Sequence, residues 1–243
     1  MDALDRLAEP GLDLLRRVDV LLAAGVPEGH PVWPLLRRMQ VLPGDALRAF
    51  LDLHSAPLAS AGDAVRRLVQ GYDDASAALT DPGLWAGPAA AHYDQARATL
   101  LRHLDEGPES LVGRMEATAG YADALADWVT GSRLAVARAL ADVLRCTEAV
   151  AVVAATRPGA ATAGAFPGGA TVDASAGGAT AAGRAGVAEA AVIAARVLAV
   201  LSVAYDGAET LLRQWSPSLA ESTWRPVAEA GPRWSGAGTR IGR

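Results

Sequence analysis

Ala61, Val65, Leu68, Tyr72, Ala75 and Leu79 follow one another by alternating steps of four and three residues. Residues so spaced fall on one stripe of an α-helix, and that stripe is buried most readily against a second helix. The stepping recurs at Ala89, Tyr93, Ala96, Leu100 and Leu104, and again at Leu111, Met115, Thr118, Ala122, Leu125 and Val129. It returns at Val136, Leu140, Val143, Thr147, Val150 and Ala154, and finally at Val187, Ala190, Ala194, Val197, Leu201, Ala204, Ala208 and Leu211. The chain is 51% hydrophobic but only 5% aromatic, so its apolar content is mostly Ala, Leu and Val. Two Phe and two Ile are too few for an ordinary sheet protein. An all-α, multi-helix bundle is therefore expected.

The punctuation divides the chain into helices. A first helix is expected over residues 2–24, ending at Ala24-Gly25-Val26-Pro27, with a Gly/Pro-rich connection through Pro31, Trp33 and Pro34. A short helix is expected from Asp45 to His54, and Ser55 is placed to cap the next one, with Pro57 in its first turn. Asp81-Pro82-Gly83 stops that helix, and Pro88 suits the start of another. Gly107-Pro108 interrupts the stepping, and Ser132 reads as the cap of a further helix at 132–155. Residues 156–183, rich in Gly, Ala and Thr, read as a linker, 184–215 as a last helix, and 216–243 as an irregular tail. The domain reading is thus a helical extension at 1–54, a hairpin plus third helix at 55–155, the linker, the last helix and the tail.

Two long helices joined by a short turn pack side by side as a helical hairpin. The turn between the first two seams reads Asp81-Pro82-Gly83-Leu84-Trp85-Ala86-Gly87-Pro88-Ala89-Ala90-Ala91-His92-Tyr93. Its Trp-x-Gly, the alanine run 89–91 and Tyr93 one turn later resemble the WXG100 (ESAT-6-like) family. The resemblance covers roughly residues 56–129. It implies a hairpin protein exported by, or associated with, a type VII secretion system, with Trp85 and Gly87 in partner recognition. A second family element, Tyr-x-x-x-Asp/Glu, is matched by Tyr205 and Glu209, which share one helical face. It lies far beyond the hairpin, whereas in the family it follows the hairpin closely. Family members are also shorter and pair through their hairpins; here extra helices flank the hairpin and could cover it.

Other chemistries find little support. HExxH, GxSxG, GxxxxGK[ST] and GxGxxG are all absent, so no catalytic residue is nominated and the chain is read as a non-enzyme. A bundle metal site needs Glu-x-x-His, but Pro27, Leu51, Ala89 and Leu100 precede the four histidines by three. No metal or cofactor is expected. All 22 basic residues are Arg, scattered among 27 acidic ones for a net charge of −5, which argues against nucleic-acid binding. Cys146, the single cysteine, reads as a small core residue. The acidic start, Met1-Asp2-Ala3-Leu4-Asp5, lacks a Sec-type signal, so the expected location is cytoplasmic, or outside by a type VII route.

The apolar stretch Val187–Ala204 is interrupted by Glu189 and Arg196, which favours a buried bundle helix over a membrane span. Trp215, Trp224 and Trp234 recur every nine or ten residues and suit either partner anchoring or packing back on the bundle. The leading expectation is recognition of a secretion ATPase or another helical-hairpin protein, in a homodimer or heterodimer. Its alternatives are a cytoplasmic structural or adaptor bundle and a peripheral membrane protein.

Overall fold

A computed structural model describes residues 1–80, 86–105, 107–157 and 175–221, with backbone alone at Thr80, 175–185 and Glu221. Every regular element among them is an α-helix, so the chain is an all-α, multi-helix bundle. Helix α1 (Ala3–Ala23) starts at a capping box, in which Asp2 and Asp5 each accept the other's backbone N–H at 2.9 Å. It buries Leu4, Gly11, Leu14, Leu15, Val18 and Leu22 on one face. Helix α2 (Val32–Met39) occupies the stretch expected as a connection. Pro34 falls in its first turn, where a missing N–H has no partner to lose, so the proline starts a helix instead of preventing one. The imidazole Nδ1 of His30 accepts from the Val32 N–H, and the Trp33 indole donates to the Pro27 carbonyl.

Helix α3 (Pro43–Leu51) begins two residues earlier than expected, with Pro43 in its first turn, and ends before His54. Helices α4 (Ala56–Thr80) and α5 (Pro88–Asp105) flank the Trp-x-Gly connection. Helix α6 (Leu111–Leu144) is unbroken where two helices were expected. Ser132 is buried in its interior and caps nothing: no proline intervenes, and the adjoining Arg133 is held by the start of α1 and the end of α3. The break comes later, at an extended Cys146 that opens α7 (Thr147–Ala155). Cys146 is therefore a half-buried hinge residue, its thiol donating to the Val143 carbonyl at 3.0 Å, and burial pushes that thiol's pKa up.

Helix α8 (Ser175–Glu221) is longer than expected at both ends. Residues 175–183, expected in the linker, are helical; their Ala content favours helix, and they continue a helix fixed by packing further on. Residues 216–221, expected in the irregular tail, are helical too, and Pro217 is accommodated within the helix. The rest of the expected linker, 158–174, and of the tail, 222–243, lies outside the described residues.

The main core gathers α1, α2, α3, the second half of α6, α7 and the middle of α8. The α8 seam expected from Val187 to Leu211 is buried or half-buried throughout. Helices α6 and α8 run antiparallel, since the Trp128 indole donates to the Ala204 carbonyl at 2.9 Å while Trp215 lies on Gly120. Helix α4 also runs antiparallel to α6: Gly62 abuts Ala119 and Asp123, and Arg66 pairs with Asp123. No residue of α4 or α5 belongs to the main core.

The seam of α4 is rotated by one residue at alternate positions. The stripe facing α6 is Gly62, Val65, Val69, Tyr72, Ser76 and Leu79, whereas Ala61, Leu68 and Ala75 point outward. In α5 the buried position is Ala90, not Ala89, and along early α6 the buried residues are Val112, Ala119 and Ala126. Beyond the Cys146 break the expected stripe loses phase: Ala149 and Val152 are buried, and Thr147, Val150 and Ala154 are exposed.

Candidate functional site

Four residues stand as candidates for recognition: Trp85, Gly87, Tyr205 and Glu209. Trp85 lies outside the described residues. Gly87 is exposed, with φ of +118°, and its carbonyl accepts the Ala91 N–H at 3.1 Å in the first turn of α5. A side chain is strained at that φ, which is what requires glycine there.

Tyr205 lies elsewhere. Its ring meets Phe50 of α3 edge-on at 5.8 Å, and Phe50 in turn lies 6.4 Å from Trp128. Nearly half of the Tyr205 surface remains exposed. Glu209, one turn on, is exposed and pairs only loosely with Arg213 at 3.9 Å. The pair belongs to the level of Trp128 on α6, whereas α4 meets Val112 near Asp73 and continues outward. About 25 Å along α6 therefore separates Tyr205 from the root of the hairpin, so the candidates form two places.

The first place is the outer surface of α4 and α5. Helix α5 buries Ala90 and little else, while Tyr93 and Leu100 remain 47% and 43% exposed. On α4, Leu68 is 58% exposed. Ala61, Leu68 and Ala75 with Ala89, Tyr93, Ala96 and Leu100 are the very residues the stepping marked as a seam. They form apolar stripes that no described helix covers. Most helical stability in proteins comes from packing of an apolar face, so α5, which buries little, gains from any surface that covers it.

Arg133 was not singled out in the sequence, where an arginine on a helix reads as surface. It is only 4% exposed, in the middle of α6. Its guanidinium donates to the carbonyls of Phe50, Leu51 and Leu53 at 2.8–3.0 Å, and to Asp2 and Asp5 at 2.6 Å each. It thus satisfies the open carbonyls at the end of α3 and locks the capping box of α1. The Arg133 hydrogen bond holds the Asp2 carboxyl down to about 2. Asp5 is lowered as well, first by the Asp2 N–H.

Asp19 is shifted the opposite way, raised to about 6 chiefly by burial, with the Gly44 N–H at 3.1 Å as its partner. Both clusters tie helices to one another. Among the described residues no group of three or more His, Cys, Asp or Glu side chains could hold a metal ion. The segment Gly186–Ala220 is long and apolar enough to cross a membrane, and half of its most apolar window is buried inside the bundle. Arg196 within it pairs with Glu148 of α7 at 2.9 Å. Trp215 packs back on the bundle, 6.1 Å from the Tyr121 ring; Trp224 and Trp234 lie outside the described residues.

No family model, curated protein or solved structure matches this chain.

Proposed function

We propose that the chain works without catalysis, as a WXG100-like substrate or partner protein of a type VII secretion system, recognised through the α4–α5 hairpin. The observation that carries this reading is the exposure of Leu68 and Leu100 on two helices that lie outside the main core, where no described helix covers them. A helical partner laid along either helix would meet apolar positions at the i, i+3/i+4 and i+7 spacing by which helices recognise grooves, Ala89, Ala96 and Leu100 on α5 or Ala61, Leu68 and Ala75 on α4. The partner is a membrane-bound secretion ATPase or another helical-hairpin protein. Trp85 and Gly87 would be read at the tip, and Tyr205 with Glu209 would form a second contact on α8.

The test is an export assay in a type VII-competent host, comparing the wild type with Trp85→Ala and with Leu68→Glu/Leu100→Glu. Wild-type export that both variants lose, at unchanged helix content by circular dichroism, is the expected result. Equal export of all three, or export of none, would defeat the proposal. A cytoplasmic adaptor bundle would give retention of the wild type with a partner still bound to the stripe.

A further inference from the structure

Where α4, α5 and α6 converge, a groove of about 460 Å³ opens. Pro108, Val112 and Ala117 give it an apolar lining, and Asp73, Asp105 and Glu116 give it carboxylates. Arginines hold Asp63, Asp123, Asp94 and Asp142 on these helices, whereas Asp74 and Asp127, away from the groove, have no ion pair among the described residues. Among the described residues, Asp73, Asp105 and Glu116 are paired with no cation. The groove therefore offers a mixed, more polar than apolar lining with a small apolar floor at Pro108 and Ala117, edged by three carboxylates.

The course of α8 points to what fills it. The Trp215 ring lies so close to Gly120 that a Cβ there would come within 2.7 Å of it. Gly113, Glu116 and Ala117, which line the groove, lie one and two turns before Gly120 on that same face of α6. Helix α8 continues antiparallel to α6 for six residues past Trp215, about 9 Å, and ends at Glu221. The end of α8 therefore lies close to the groove.

The 22 residues that follow, 222–243, carry four arginines against one glutamate in a chain whose net charge is −5. Two of those arginines stand beside tryptophans, in Trp224-Arg225 and Arg233-Trp234. An indole suits the apolar floor, and the adjoining guanidinium suits the carboxylates.

We propose that segment 222–243 docks intramolecularly in the α4–α5–α6 groove, one Trp–Arg pair laying its indole over Pro108 and Ala117 and its guanidinium against Asp73, Asp105 and Glu116. Exposed ion pairs are individually weak, but attachment to α8 gives the segment a high effective concentration at the groove. Docking there ties α8 to the root of the hairpin.

The test uses the full chain, ¹⁵N-labelled, as Cys146→Ser/Glu109→Cys with a nitroxide on the new cysteine beside the groove. The indole N–H signals of Trp224 and Trp234 are assigned by single Trp→Phe variants. The signal of at least one is expected to lose most of its intensity to the nitroxide. Adding Asp73→Arg/Asp105→Arg/Glu116→Arg should restore it, and further adding Arg225→Asp/Arg233→Asp should quench it again. Two sharp indole signals in the starting protein, or quenching indifferent to the groove charges, would overturn the proposal. So would failure of the compensating variant to quench, or equal quenching when labelled and ¹⁵N chains are separate molecules.

Discussion

Arg133 shows how one side chain holds three helices in register. Its three nitrogens reach five acceptors from a buried position on α6: Nη1 serves the three carbonyls at and just past the end of α3, and Nε and Nη2 serve the two carboxylates at the start of α1. Removing one partner of such a buried arrangement leaves the others desolvated and unpaired, at a cost of about 3–5 kcal/mol. Arg133→Met is expected to destabilise by that amount in chemical unfolding, with Arg133→Lys recovering little because an ammonium cannot span the fork of acceptors. A loss below about 1 kcal/mol for Arg133→Met would mean the network is incidental. This residue was not legible in the sequence. Its partners are 80 or more positions away, and an arginine among alanines is written the same way whether it faces water or three carbonyls.

At the scale of the helix, existence and type are more legible in the sequence than phase. The α8 seam is read correctly because Val187, Val197 and Leu201 stand out from their neighbours and the helix is apolar nearly all round. On α4 the choice between Leu68 and Val69, adjacent on the helix and about 100° apart, is decided by α6. Gly62 provides the close approach: a Cβ there would lie 2.8 Å from the Asp123 carboxylate, and that fixes which flank of α4 faces inward. A substitution pair reads the register directly. Val69→Ala should cost about 1–2 kcal/mol for its two buried methyl groups, and Leu68→Ala should stay within about 0.5 kcal/mol. The reverse ranking would place the seam where the stepping first put it. The α6–α7 break was missed for a related reason. Gly131-Ser132 carries the sequence marks of a helix boundary, yet no proline intervenes and the buried Ser132 and Arg133 carry α6 through it.

The molecule as a whole divides by how its apolar surface is used. Helices α1–α3, the second half of α6, α7 and α8 bury one continuous cluster, while α4 and α5 lean on the first half of α6 and keep apolar stripes outward. The all-α class and the hairpin around the Trp-x-Gly connection were legible from periodicity. That the flanking helices pack mostly on one another, with no described helix over the outer faces of α4 and α5, was not, because every seam looks alike until tertiary partners are known. Elements with few buried contacts open locally at lower free energy than the core. Native-state amide hydrogen exchange, followed helix by helix at low denaturant, tests this division most directly. Amides of α4 and α5 should exchange through a subglobal opening of distinctly lower free energy than those of late α6 and mid α8, and an added hairpin-binding partner should slow them selectively. A single shared opening free energy for all of these helices would contradict the account of a recognition arm carried on a separate core.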